Sequence, residues 1–484
     1  MMTGNVAGDS FGNRVSIAGD INNDGYDDII VGAFGKNGQQ GAAYVIYGGE
    51  ESSFVNLDLS TTTLNPFTTG FTITGNAAGD QLGVSVSTAG DINNDGYDDI
   101  IVGAYTKDSS RGAAYVIYGG EKSAMSNWDF SSGVTLNPTS TGFTITGNAA
   151  FDSFGYSVST AGDINKDGYD DIIVGAYTKN SQQGAAYVIY GDDKATMSNI
   201  VLSSTTLDPT STGFTITGNA GGDQFGRSVS AAGDVNNDGY DDIIVGAQGK
   251  SSNQGAAYVI YGGDKLTMSN IVLSSTTLDP LTTGFTITGN AAGDSLGVSV
   301  STAGDINHDG YDDVIVGAYQ KASYQGAAYV IYGGEKSTMS NIALSTQTLN
   351  PVVTGFMITG SAVSDQFGFT VSTAGDVNND GYDDMIVGAR GKSSNQGAAY
   401  VIYGGEKSAM SNIVLSTTKL NPLTTGFMII GDAAGDYLGN FVSAAGDINK
   451  DGYDDIIVGA PGKDSNQGVA YVIYGDILLL LTLN

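Results

Sequence analysis

The 484-residue chain has no cysteine, one histidine, one tryptophan and seven prolines. Without cysteine there is no disulfide framework, no thiol nucleophile and no cysteine-based zinc site. A single histidine excludes most constellations built on imidazole. Basic residues are also scarce, 19 against 51 acidic ones, and the formal charge is -32. Binding a phosphate backbone needs a lysine- and arginine-rich surface, so no nucleic acid is expected as a partner. No apolar run approaches the ~18 residues of a membrane span, so no membrane insertion is expected. The opening Met1-Met2-Thr3-Gly4-Asn5 has neither the basic stretch nor the apolar core of a secretory signal. Hydrophobic residues still make up 40% of the chain, enough to bury a core, so the acidity does not read as disorder.

What the chain has in abundance is repetition. The segment Asp20-Ile21-Asn22-Asn23-Asp24-Gly25-Tyr26-Asp27-Asp28 recurs with its first aspartate at 91, 163, 234, 305, 376 and 447, at spacings of 71 or 72 residues. A Phe-Gly or Leu-Gly pair precedes each copy, as in Phe11-Gly12, Leu82-Gly83 and Phe154-Gly155. Ile-Val-Gly-Ala and then a Gly-Ala-Ala-Tyr-Val-Ile-Tyr run, or a close variant, follow it. No shift in composition separates the copies. Residues 1–484 therefore read as one repeat domain with a period of about 71.

Within a unit, Gly70 to Thr74, Val84 to Thr88, Asp99 to Ala104 and Ala113 to Tyr118 are rich in Ile, Val, Phe, Thr and Tyr, and turn-forming residues bound them. Val84 to Thr88 alternates, whereas Asp99 to Ala104 and Ala113 to Tyr118 are near-continuous apolar runs, which imply strands covered on both faces. Glu121 to Ser126 has room for one helical turn at most. The expected fold is all-β: a seven-bladed β-propeller of four-stranded antiparallel blades. An open β-solenoid would run on shorter coils, and the Gly-Gly-x-Gly-x-Asp pattern of calcium β-rolls is missing. Of the Gly-Phe-Thr-Ile-Thr strand only Met2-Thr3-Gly4 survives at the N-terminus. The divergent Ile477 to Leu483, within 476–484, is expected to supply the outer strand that closes the last blade.

The repeated nonapeptide carries oxygen side chains at positions 1, 3, 5 and 9, an invariant glycine at 6 and a tyrosine at 7 that offers its main-chain carbonyl. In the first three copies these candidate ligands are Asp20, Asn22, Asp24, Tyr26 and Asp28; Asp91, Asn93, Asp95, Tyr97 and Asp99; and Asp163, Asn165, Asp167, Tyr169 and Asp171. In the next two they are Asp234, Asn236, Asp238, Tyr240 and Asp242; and Asp305, Asn307, Asp309, Tyr311 and Asp313. The last two carry Asp376, Asn378, Asp380, Tyr382 and Asp384; and Asp447, Asn449, Asp451, Tyr453 and Asp455. Carboxylate, amide and carbonyl oxygens at this spacing suit a hard cation, and the lack of nitrogen or sulfur ligands favours Ca2+, up to seven ions. Position 12 is Val31, Val102 or Val174 where an EF-hand has glutamate, so the loop is expected at a β-hairpin tip. A turn alone needs one or two such residues, not four kept in every copy. Asp27 and its counterparts at position 8 point away from position 9 along a strand and are expected to hydrogen-bond or to stay solvated rather than ligate. Seven divalent ions would bring the formal charge from -32 to -18.

Phe-Gly, then Gly-Asp-x-Asn-x-Asp-Gly-Tyr-Asp-Asp, then Val-Gly-Ala-x resembles the FG-GAP repeat family, best known as the N-terminal propeller of integrin α subunits. The resemblance implies a seven-bladed propeller with calcium in hairpin loops on one face and ligand contacts on the other. This chain departs from the pattern at position 3, always Asn, and in keeping the full Gly-Ala-Pro only at Gly459-Ala460-Pro461. The other copies end in Phe34, Tyr105, Tyr177, Gln248, Tyr319 and Arg390, each two residues before a recurring lysine (Lys36, Lys107, Lys179, Lys250, Lys321, Lys392, Lys463). These loops are expected on the face opposite the calcium loops, as a surface for a protein or glycan ligand. Asp9, Asp80, Asp152, Asp223, Asp294, Asp365 and Asp436, ahead of each Phe/Leu-Gly pair, are expected to cap turns. The leading functional expectation is a non-enzymatic adhesion or recognition module at a cell surface or in the extracellular space. A purely structural calcium-stabilised repeat protein is the alternative. A propeller lyase or glycosidase would need a constellation that breaks the symmetry, and the acidic residues repeat instead.

Overall fold

The computed structural model describes residues 1–50 and 56–475. In the second unit, strands Ser85–Gly90, Asp99–Ala104, Ala113–Ile117 and Gly142–Thr146 follow one another, each antiparallel to the last, from the axis outward. Seven such sheets surround one channel, and the chain is a seven-bladed β-propeller.

The middle strands are apolar throughout because neighbouring blades cover both of their faces. Every residue of Asp99–Ala104 and Ala113–Ile117 is buried. Side chains alternate between the two sides. Ile100 and Val102 pack against Ile30 and Val45 of the first blade, whereas Ile101 meets Ile172 and Val174 of the third. The core is thus a ring of seven clusters, one at each blade interface. The ring closes on itself: Ile29 and Val31 share a cluster with Ile457 and Ala470 of the last blade.

Closure uses the first residues of the chain. Met2–Thr3 pairs antiparallel with the last blade's third strand, Val469–Ile473, with Met2 opposite Ala470 and Thr3 opposite Val469. Two residues stand where other units carry the five of Gly-Phe-Thr-Ile-Thr. The segment Ile477 to Leu483, expected to form that strand, lies outside the described residues.

The rim departs from the four-strand expectation. Among the described residues, six of the seven sheets have a fifth strand of two residues, lent by the following unit and parallel to the outer strand. Trp128–Asp129 lies beside Ile73 and Thr74, and Ile200–Val201 beside Ile145 and Thr146. The amide of Thr72 donates to Asn127 Oδ1 at 2.8 Å just ahead of that pairing, and Thr144 treats Asn199 the same way. Two residues leave no periodic signature in a sequence, yet they cover an edge that would otherwise be open. Among the described residues no helix is long and apolar enough to cross a membrane.

Met2 is buried in the cluster that joins the two ends of the chain. Met2→Ala is expected to lower the unfolding free energy by about 2–5 kcal/mol in urea denaturation. A variant as stable as the parent would mean that this short strand does not hold the ring shut.

Candidate functional site

Each aspartate-rich nonapeptide joins the innermost strand to the second strand, so all seven loops lie on one face. The register slips as the inner strand ends, between Thr88 and Gly90 in the second blade, and the chain swings out into the loop. Position 4 is left-handed in every copy, with φ of 53–60°. At position 6 φ is 86–91°, a conformation that glycine alone adopts without strain.

In the second blade, Asp91 folds back on its own loop: Oδ1 accepts the amide of Asp95 at 3.0 Å and Oδ2 that of Gly96 at 2.8 Å. Asp95, at the exposed tip, accepts the amide of Tyr97 at 3.2 Å and pairs with Lys194 from the next blade. The equivalent lysines Lys122, Lys265, Lys336 and Lys407 reach Asp24, Asp167, Asp238 and Asp309. Asp99 is fully buried. Its Oδ2 accepts Asn93 Nδ2 at 2.6 Å and the Ile92 amide at 3.2 Å, and its Oδ1 accepts the Gly119 amide at 2.7 Å. Burial pushes its pKa well above the ordinary carboxylate range, and the charges of Asp95 and Asp91 act in the same direction. Burial likewise brings Asp384 and Asp455 up to about 8.

Position 3 is where the polar bookkeeping fails to close. Asn93 is 5% exposed, and its Nδ2 is satisfied by Asp99, but its Oδ1 has no partner among the described residues. The same oxygen is orphaned in Asn22, Asn165, Asn236, Asn307 and Asn378. In the seventh loop Asn449 Oδ1 instead accepts the Asp451 amide at 2.9 Å. All five ligand-type positions of a loop therefore share one hairpin tip. Among the described residues no three acidic or histidine side chains are already gathered into a cage. The carboxylates are turned instead onto loop amides and lysine.

Position 8 does something else. Asp98 Oδ2 accepts the amide of Asp20, the first loop residue of the preceding blade, at 2.8 Å. Asp170, Asp241, Asp312, Asp383 and Asp454 repeat this clasp, and Asp27 completes the circle by accepting the Asp447 amide at 2.9 Å. Hydrogen bonding, as expected, is the role of these residues. A glycine faces each carboxylate: a Cβ on Gly90 would lie 2.1 Å from Asp170 Oδ2.

The FG-GAP repeat model matches residues 11–46, 82–117, 154–189, 225–260, 296–331, 367–402 and 439–473, one segment per blade. The chain belongs to the FG-GAP repeat family. It is 34% identical over 250 residues to integrin alpha pat-2 of Caenorhabditis elegans, covering 49% of this chain and 18% of that protein. Integrin alpha-4 of Xenopus laevis is 27% identical over 241 residues, 49% of this chain and 19% of the relative. A phosphatidylinositol-glycan-specific phospholipase D of Bos taurus is 30% identical over 230 residues, 45% of this chain and 24% of that protein. The chain spans about a fifth of the length of these curated relatives.

On the opposite face of the FG-GAP ring, the recurring residues prove to be scaffold. The seven aspartates ahead of the Phe/Leu-Gly pairs each accept an amide three residues earlier, as Asp80 does from Ala77 at 3.2 Å. Lysines expected at a recognition surface turn inward: Lys36 donates to Tyr44 Oη at 2.6 Å, and Lys392 lies 3.4 Å from Asp365. The variable positions behave differently. Phe34, Tyr105, Tyr319 and Arg390 line the mouth of the central channel, joined there by Arg14, Tyr156, Arg227, Phe369 and Phe441. Sequence reasoning passed over these last residues. Their signal was the break in the repeat just after Phe/Leu-Gly, where Asn13-Arg14, Val84-Ser85, Tyr156-Ser157, Arg227-Ser228 and Asn440-Phe441 differ.

The blade-to-blade clasp generates a test by double-mutant cycle. Gly90→Ala is expected to cost about 1–3 kcal/mol from its left-handed backbone and crowding. Asp170→Ala should cost about 1–3 kcal/mol by leaving the Asp91 amide without its acceptor. In the double variant the two carboxylate atoms closest to the added methyl are gone and only the Cβ of residue 170, 2.7 Å away, still crowds it, so the combined loss should fall short of the sum by about 0.5–3 kcal/mol. Strict additivity would mean that the two residues do not meet.

Proposed function

We propose that this FG-GAP propeller is a calcium-binding, non-enzymatic recognition module that works outside the cell or at its surface. The observation that carries the calcium reading is the buried amide oxygen left without a donor in six of seven loops. Such an oxygen costs about 1–3 kcal/mol unless something satisfies it. A hydrogen-bond donor or a cation would do so, and the surrounding groups at positions 1, 5 and 9 are carboxylates. Residues Asp91, Asn93, Asp95, Asp99 and the carbonyl of Tyr97, with their counterparts, would hold the ion through oxygen alone, the donor set of calcium. Bound there, calcium supplies positive charge that offsets the repulsion among crowded carboxylates.

The recognition reading rests on two supports. Integrin α subunits are among the relatives, and four of the residues that vary from copy to copy, Phe34, Tyr105, Tyr319 and Arg390, gather at the mouth of the channel on the face away from the loops. A protein or glycan ligand would meet that face. A purely structural role would leave those variable residues without a task.

At millimolar calcium and a dissociation constant near 0.1 mM, each occupied loop should add about 1.4 kcal/mol. Chelation with EGTA is therefore expected to lower the melting temperature of the protein, and calorimetry should count up to seven ions. Asn93→Leu should remove one of them. An unchanged melting temperature on chelation would end the calcium reading. Glycan and protein arrays probed with and without calcium test recognition, and a blank array in both conditions would leave the structural role.

A further inference from the structure

The chain contains four arginines, and three of them line one cavity. The cavity, of about 480 Å³, sits in the central channel at the end away from the aspartate loops, and the first residues of all seven inner strands border it. Among the described residues no Asp or Glu lines it, in a chain with 51 of them. Arg14 donates Nε to the Val84 carbonyl at 2.7 Å and stacks 3.5 Å above the ring of Phe441. Arg390 donates to Gln366 Oε1 at 2.8 Å and Asn440 Oδ1 at 3.2 Å, and stacks 3.5 Å above Phe369. Arg227 lies 5.2 and 5.3 Å from the ring centres of Tyr156 and Tyr177.

The Arg14 and Arg390 guanidinium groups are held by neutral partners, Arg227 lies beside tyrosine rings, and among the described residues no carboxylate pairs with any of the three. Burial brings the Arg14 pKa down to about 10, and the nearby charge of Arg227 acts in the same direction on both Arg14 and Arg390. Gathering three like charges in a half-enclosed space is costly without a counter-charge. Repeat inheritance does not explain the cluster. Arg14 is the second residue after its Phe-Gly pair, Arg227 the first after another, and Arg390 follows Gly-Ala. Three different repeat positions, in blades one, four and six, converge on one place.

We propose that this cavity binds a small oxyanionic ligand, a molecule about one ring in size that carries carboxylate, sulfate or phosphate. Its volume falls within the range of small-molecule sites. Guanidinium forks match such oxygens two at a time, and the stacked rings hold those forks in place. The loop-face carboxylates leave the opposite end of the channel negative, so an anion is drawn to the arginine end alone. The site does not depend on calcium in the loops.

Calorimetric titration of the whole chain with sodium sulfate, sodium glucuronate and glucose, at constant ionic strength, tests the site. Saturable one-to-one binding of an anion is expected, with none for glucose. Tighter binding of sulfate would point to an inorganic or sulfated ligand, and tighter binding of glucuronate to a sugar acid. Arg227→Gln and Arg390→Gln should each weaken binding at least tenfold, whereas Arg111→Gln, the one arginine outside the cavity, should leave it unchanged. If those variants do not fold, phenylglyoxal labelling of the parent gives the answer: the bound anion should protect Arg227 and Arg390 but not Arg111. Absence of saturable anion binding, retention of affinity in both cavity variants, or labelling that ignores the anion would overturn the proposal.

Discussion

A sheet whose middle strands are apolar on both sides loses about 25 cal/mol for every Å² of either face left in water. In this chain Ile100, Ile101 and Val102 point alternately to opposite neighbours, so no blade is satisfied by one partner. Only a closed ring satisfies all of them, and the last interface has to be made between the two ends of the chain. Met2, Val31, Ile457 and Ala470 meet there. Closure then dictates the placement of everything else. Hairpin tips of one kind fall on one face, those of the other kind on the opposite face, and the starts of seven inner strands fall around one channel.

Crowding seven acidic loops onto one face creates an electrostatic problem, and the four aspartates of each loop meet it in different ways. Position 1 spends both oxygens on loop amides, and position 5 stays at the solvent-facing tip, where lysine reaches it in five copies. Position 8 crosses to the adjacent blade and takes its first loop amide, turning repulsive carboxylates into a ring of clasps. Position 9 is buried and raised in pKa by that burial, and in the second blade three donors turn towards it. In five loops the asparagine between them donates one end to position 9 and leaves its oxygen without a donor among the described residues. Replacing that asparagine by a hydrocarbon removes the orphan but also the donor, so the loop retains a group that is expensive in isolation.

The repeat, the strand positions, the hairpin placement of the loops and the turn-capping aspartates were legible because each is a local pattern stated seven times. The two-residue rim strands were not, since Trp128–Asp129 carries too little sequence to show a period and its pairing depends on the preceding blade. The recurring lysines misled for a related reason. Recurrence beside a variable residue resembles a binding surface, whereas Lys36 and Lys392 answer to Tyr44 and Asp365 in the fold. The arginine cluster was invisible for a stronger reason: Arg14, Arg227 and Arg390 lie more than 150 residues apart and occupy unequal places in their repeats. Only the angular arrangement of the blades superimposes them.

Symmetric and asymmetric residues therefore separate in space as well as in sequence. Positions kept in every copy make the interfaces, the clasps and the loop amide contacts, where a change in one blade would break a match with its neighbours. The channel mouth is freer, because side chains there point into a common volume and even equivalent positions can meet as unlike residues, as Arg14 does when it stacks on Phe441. A repeat protein can acquire a single, non-repeated site only in such a place. Three arginines and, among the described residues, no carboxylate at the mouth of a channel, in a chain of formal charge -32, is the composition that such freedom permits.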